Sequence, residues 1–467
     1  MANTRLEPLV EQLLRVRFEQ IPPEVMAKAK LCVLDTLGVA LAGALTPTCK
    51  AAREFALSLG GREETTLYRF GDRLSCLPAA YANGVMAFCY NFTDTTLSCI
   101  VHCGPVIVPT ALALAEKIGN TGREVLLAVI LGYEMMTRVG NAINSGVARM
   151  SHHKRGFHGT GTTGVFGAAM TASKLMALQA DKTLDALGIA GSYAAGLLES
   201  STVPRADVWK THAGIASQNG ISAAMLAEYG LKGPASVLEG KRAFFSAYAG
   251  ADVDLAKLDE EVGKRFRIMD AAFKLHNCAH VWANPLDSLG RILSSHPVEP
   301  ADVAAIQIRI PTMYTYVMDS ARGSSYPQNY GEAESNPPYL MAAMMLHGRV
   351  FVRQFHESVM QDPKMREIAG KVSVVVDPSL DKVFQETDKS PAEVRVILKA
   401  SGKEIVERAD YPRGCPQNPA APAEIEYKFI DLAKGVLGEE RAREIIREVS
   451  ELEQASNVKR LVALLVA

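Results

Sequence analysis

No two of the eight cysteines, Cys32, Cys49, Cys76, Cys89, Cys99, Cys103, Cys278 and Cys415, form the CxxC pair expected of a zinc or iron–sulfur site. The tightest group, Cys99-Ile100-Val101-His102-Cys103, reads as two buried thiols beside a histidine. This usage fits a reducing compartment and no structural disulfides. An excess of basic charge is also missing, since 50 Lys and Arg face 51 Asp and Glu, so no global field would gather nucleic acid. The longest apolar stretch, residues 31–45, is interrupted by Asp35 and is too short to span a bilayer. Residues 1–20 alternate charge with Leu and Val and lack a signal-peptide core. Neither an internal repeat nor a low-complexity tract occurs. These absences leave a cytoplasmic protein with no nucleic-acid or membrane partner as the expectation.

What is present is a long chain of ordinary globular composition. At 467 residues, 48% hydrophobic and 22% charged, it exceeds one compact core, and two domains are expected. Apolar residues recur at helical spacing over 6–18, 25–42, 79–90, 105–118, 124–143, 164–178, 183–198 and 215–229. Several of these runs are apolar on more than one face, which predicts helices buried inside a helical assembly. The pattern changes near Arg265. Two-residue alternation and β-branched residues predict strands over 303–310, 372–377, 393–398 and 404–409, with helices at 283–294, 339–346 and 363–370 between them. A proline-rich segment, 411–422, marks a linker, and helices follow at 423–436, 439–452 and 458–466. The fold expected is mainly α. A helical domain (1–265) is completed by a C-terminal return (411–467), and a smaller α+β lid (266–410) is inserted between them.

Seven of the ten histidines fall between positions 102 and 280: His102, His152, His153, His158, His212, His276 and His280. Imidazole titrates nearest neutrality, so such a group suits proton transfer. His158 shares a loop with Arg155 and with Gly159-Thr160-Gly161-Thr162-Thr163-Gly164. That string matches GxGxxG literally, yet its upstream residues are polar and helix follows helix, so it does not read as a dinucleotide fingerprint. Its glycines read instead as allowing close backbone approach, with the helix start offering amides to a carboxylate. His152 and His153 read as solvated loop residues. Lys210 and His212 stand at the start of a Gly/Ala-rich helix, where a lysine opposes the helix dipole and suits a substrate carboxylate. Asn91-Phe92-Thr93-Asp94-Thr95-Thr96, ahead of His102, offers amide, hydroxyl and carboxylate groups, although capping accounts for Asp94, Thr95 and Thr96.

With these segments in view the chain resembles the MmgE/PrpD family. The likeness rests on Leu34-Asp35-Thr36-Leu37-Gly38, on Asn91 to Thr95 with His102, and on Gly156-Phe157-His158. It continues through Lys210 with His212 to Ala216, and Arg413 to Pro419 followed by Lys428-Phe429. The resemblance implies a large helical domain from both chain ends, a smaller lid, a homodimer, and chemistry without metal or organic cofactor. Its members include dehydratases, a decarboxylase and an epimerase. Three departures stand out. Asn91 and Thr93 replace the first two acids of Asp-Phe-Asp-Asp-Thr, and one residue rather than two separates Lys210 from His212. Ala283 stands four residues before Asp287, where the family has a histidine, and His276 or His280 is the expected substitute.

The reactions of such a family create negative charge on a carbon beside a carboxylate, which cations and donors must spread over the carboxylate oxygens. The sequence supplies His102, His158 and Lys210 as candidate catalytic groups. Asn91, Thr95, Arg155, His212, His276 and His280 are candidate substrate-binding groups. No metal-ligand set is visible. The expected activity is a cofactor-independent lyase of a small di- or tricarboxylate, with dehydration of a citrate-like hydroxy acid as its leading form. An epimerase, a decarboxylase and a catalytically silent carboxylate-binding protein remain open as alternatives.

Overall fold

Nearly every side chain of three helices, Cys76–Phe88, Gly104–Ile118 and Gly122–Asn144, is buried, and these helices organise the molecule. The computed structural model describes residues 4–145, 150–202, 206–315, 326–387 and 389–467. Gly122–Asn144 is long and apolar enough to cross a membrane by length and composition, but its apolar stretch is buried by its neighbours. It packs on Gly164–Leu175, which packs on His212–Glu228, which in turn lies along Cys76–Phe88. Thr121 starts Gly122–Asn144 with a capping box: its hydroxyl accepts from the Glu124 amide, and the Glu124 carboxylate accepts from the Thr121 amide.

The predicted helices form within a few residues of their expected ends. One expectation is corrected. The run 183–198 becomes the helix Ala180–Ser192, and residues 193–198 leave it. Those residues pair instead with the histidine loop: the His158 amide donates to Gly196 O and the Leu198 amide to Gly156 O. Tertiary pairing here overrides an apolar helical pattern. The helices Pro47–Ser58 and Ser379–Glu386 are additional to those expected from the sequence.

One apolar core holds residues from Leu6 to Phe273 and also Ile425, Phe429, Ile445 and Leu461 from the C-terminal helices. The return is anchored by Pro422–Leu437 against Pro23–Gly43, where Lys428 and Asp35 form an ion pair of 2.6 Å with both side chains buried. A second core, from Cys278 to Ile405, belongs to the α+β part. Its four-stranded sheet runs in the order Val372–Val376, Val303–Ile310, Ala392–Leu398, Glu404–Ala409. The first pair is parallel and the others antiparallel. Ile306, Ile308 and Ile310 alternate with more exposed residues and meet Val394 and Val396 in this core, as a period of two requires.

A two-residue ladder joins the parts that matter for function. Thr95 and Thr96 pair antiparallel with Ala272 and Ala271, so the Asn91–His102 segment lies beside the strand leading to Lys274. The Phe273 amide donates to Gly414 O at 2.9 Å. Gly414 has φ +99, and a Cβ there would lie 2.0 Å from Phe273 O, so only glycine permits this approach.

Candidate active site

A cleft of about 1190 Å³ opens between the helical part and the α+β part. His102, His158, Lys210, Asn91 and Thr95 line it from the first, with Lys274, His280, Tyr330 and Glu334 on the facing side.

His102 is set by the backbone. Its Nδ1 lies 2.8 Å from Asp94 O and 3.1 Å from Thr95 Oγ1. A carbonyl oxygen only accepts, so Nδ1 carries the ring hydrogen and Nε2 is left with a free lone pair. Burial, with Lys274 adding to it, lowers the His102 pKa to about 3, which keeps the ring neutral near pH 7. Asp94 serves behind it. Its carboxylate accepts from the Gly104 amide at 3.0 Å and from the Tyr133 hydroxyl at 2.7 Å, which holds the start of Gly104–Ile118. Burial and neighbouring Asp35 raise its pKa to about 6.

His158 stacks on Phe88 at 5.7 Å, and its Nδ1 meets His212 Nδ1 at 2.9 Å. Burial first, then His212 and His102, holds its pKa well below the usual histidine range. Lys210 is 6% exposed, and its ammonium sits 4.6 Å above the Tyr330 ring, a favourable seat for a desolvated cation. Tyr330 in turn accepts from the Asn91 amide at 2.8 Å and donates to Asn277 Oδ1 at 2.9 Å.

Another cation of the cleft, beside Lys210 and Lys154, is Lys274, which residue chemistry and spacing did not mark out. Its ammonium donates to Asn91 Oδ1 and, at 3.2 Å, to Asn91 O. Burial lowers its pKa to about 8, against a weaker pull from nearby acids. Its only sequence signal was a lysine two residues before His276. Glu334 is 4% exposed, and its Oε2 has no hydrogen-bond partner among the described residues. Burial raises its pKa, while Lys210 and Tyr330 act to lower it.

Other expectations are corrected by placement. Arg155 is exposed with its guanidinium against Gly250, and it does not line the cleft. His212 lies behind His158 rather than on the cleft wall. His276 is turned into an ion-pairing position with Asp287 at 3.0 Å, and Asp287 also accepts from the Arg413 amide at 2.6 Å. His280 does line the cleft, with neither ring nitrogen partnered among the described residues and its pKa lowered to about 3 by burial and Lys274. His152 and His153 are not solvated loop residues. They sit on the short helix Ser151–Lys154, where His152 is fully buried with Nε2 2.7 Å from Thr162 Oγ1, and His153 lines the cleft. Residues 159–164 are buried, and the amides of Gly161, Thr162 and Thr163 donate to His158 O and Gly159 O. A Cβ on Gly161 would lie 2.4 Å from Ala195 O, so this glycine serves packing and not a ligand. Among the described residues no group of three His, Cys, Asp or Glu is arranged to hold a metal ion.

A mainly helical fold with an inserted α+β part, and a cleft of neutral imidazoles and ammonium groups between them, define the class. Residues 7–256 match the MmgE/PrpD N-terminal domain and residues 276–454 the MmgE/PrpD C-terminal domain, and the chain belongs to the MmgE/PrpD family. Its relatives include a cis-aconitate decarboxylase of Homo sapiens, 28% identical over 460 residues, covering 96% of this chain and 92% of that protein. A cis-aconitate decarboxylase of Aspergillus terreus is 24% identical over 473 residues, covering 96% and 93%. A 2-methylcitrate dehydratase of Cupriavidus necator is 24% identical over 422 residues, covering 83% and 81%. These relatives carry the names of lyases, two decarboxylases and a dehydratase.

Proposed function

We propose that the protein is a cofactor-independent lyase that dehydrates a small hydroxylated di- or tricarboxylate of the 2-methylcitrate type. The observation that carries this reading is the meeting of two neutral imidazoles, His102 and His158, with two ammonium groups, Lys210 and Lys274, in one cleft. Lys210 and Lys274 bind substrate carboxylates and take up the charge that grows on them as the neighbouring carbon loses its proton. An imidazole Nε2 removes that proton. The C–H electron pair becomes the new C=C bond as the C–O bond breaks. The imidazolium just formed returns its proton to the departing oxygen, which leaves as water. Asn91, locked by Lys274 and Tyr330, and Thr95 supply neutral hydrogen-bonding groups at the same wall.

A second reading is decarboxylation of an unsaturated tricarboxylate. It is favoured by the relatives named cis-aconitate decarboxylase, which match over 96% of the chain. The same cations would stabilise the carbanion left by departing carbon dioxide, and an imidazolium would protonate it. A panel of hydroxylated and unsaturated di- and tricarboxylates, followed by proton NMR, separates the two: water loss from a hydroxy acid supports the first, and carbon dioxide release from cis-aconitate supports the second.

A further inference from the structure

His212 lies outside the cleft wall, yet its Nδ1 is 2.9 Å from Nδ1 of His158, which lines the cleft. A hydrogen bond between two such nitrogens needs a hydrogen on one of them and a lone pair on the other. The two arrangements have different chemical consequences. If His212 donated, neutral His158 would carry its hydrogen on Nε2, and giving that hydrogen away would leave an imidazolate anion in a buried site. If His158 donates, its Nε2 is bare, takes a proton, and becomes an imidazolium whose Nδ1–H still has an acceptor. Only the second arrangement lets His158 carry a proton in and out of the cleft with the charge balanced.

We propose that His212 is a positioning residue. As a neutral acceptor at Nδ1 it holds His158 in the Nδ1–H form, leaves its Nε2 lone pair for the substrate, and supports the imidazolium formed during turnover. This rests on the reading of His158 as a proton carrier. It matches the treatment of His102, whose Nδ1 is held by a backbone carbonyl, so two different acceptors give both rings the same polarity. Burial lowers the His212 pKa to about 4, which leaves its lone pair available near neutrality. The seat is tightly built. A Cβ on Gly161 would lie 3.1 Å from His212 Cβ, and one on Gly196 would lie 3.2 Å from His212 Nδ1. The other titratable groups that bear on His158 are His102, His152 and His153.

Two measurements test this. Nitrogen-15 NMR of histidine-labelled protein, assigned with His158→Ala and His212→Ala, reads the tautomers directly. The expected pattern is hydrogen on Nδ1 of His158 and a bare Nδ1 on His212. Hydrogen on Nε2 of neutral His158 overturns the proposal. Kinetics give the second arm. His212→Phe keeps a ring but cannot accept a hydrogen bond. It should lower kcat at least about tenfold, a share of the roughly 10²–10⁴ that acid–base help supplies, with KM little changed. His212→Asn offers an amide oxygen at the Nδ1 position and should recover most of the loss. Wild-type kcat in His212→Phe, beside an inactive His158→Ala, sinks the role of His212 and leaves the site standing. Wild-type rates in both variants sink the reading of His158 as well.

Discussion

Lys428 on a C-terminal helix reaches Asp35 at 2.6 Å, and the same ammonium donates to Phe92 O at 2.5 Å and Lys274 O at 3.0 Å. One buried cation therefore ties the chain's return to two backbone segments that carry cleft residues, those of Asn91 and Lys274. Removing one member of a buried ion pair strands the other, at a cost of about 3–5 kcal/mol. Lys428→Met should destabilise the fold by that order in a denaturant titration, and Lys428→Met with Asp35→Leu should recover part of it. A single variant as stable as the parent would show that the pair does not hold the return in place.

Gly414→Ala should also reach the cleft from a distance. The new methyl meets Phe273 O at 2.0 Å on a backbone with φ +99, so the segment leading to Lys274 must shift. Strain of this kind costs about 1–3 kcal/mol. The expected outcome is a lower Tm together with a raised KM, measured on the same preparation. An unchanged KM would mean that Lys274 is positioned without this turn.

Leu6–Arg15 and Ala283–Ser295 were legible because their apolar residues recur every 3.6 positions, buried helices such as Cys76–Phe88 because they are apolar nearly all round, and the sheet because Val303–Ile310 and Ala392–Leu398 alternate. His102, His158, Lys210, Asn91, Thr95 and His280 were named from residue chemistry and do line one cleft. Arg155 was not legible in the same way. It stands three residues from His158, but the chain turns at Gly156, with φ +86, and the guanidinium ends against Gly250. His212 and His276 lie in the right segments with partners behind the wall, a direction that spacing alone does not give. Lys274 was missed because its role depends on Asn91, 183 residues away.

Lys274 predicts a pH dependence. With its pKa near 8, the ammonium is present below that value and lost above it. Affinity for a polycarboxylate should therefore fall as pH rises through about 8, seen as a falling kcat/KM for free protein and substrate. Lys274→Met should have a KM raised by roughly tenfold, equivalent to about 1.4 kcal/mol, and should lack this limb. The same alkaline limb in Lys274→Met would assign it to another group.

Substitutions at the cleft wall divide binding from proton transfer. His158→Ala and His102→Ala should each lower turnover by roughly 10²-fold or more with the fold intact. Lys210→Ala should raise KM and slow turnover together, since one cation binds the carboxylate and stabilises the growing charge. Lys210→Arg should recover only part, because a planar fork does not replace a point charge above the Tyr330 ring. Circular dichroism on each variant separates loss of fold from loss of chemistry.

In the proposed reaction His102, His158, Lys210 and Lys274 together remove a proton from a carbon beside a carboxylate. Proton NMR in heavy water, with the wild-type protein and a panel of di- and tricarboxylates, tests it most directly. One hydroxy acid of the panel should lose water, with solvent deuterium entering the remaining hydroxy acid at the carbon next to its carboxylate as water adds back, and His158→Ala should abolish both signals. Tight binding of these acids with neither exchange nor turnover between pH 6 and 9 would contradict it and leave a carboxylate-binding protein in its place.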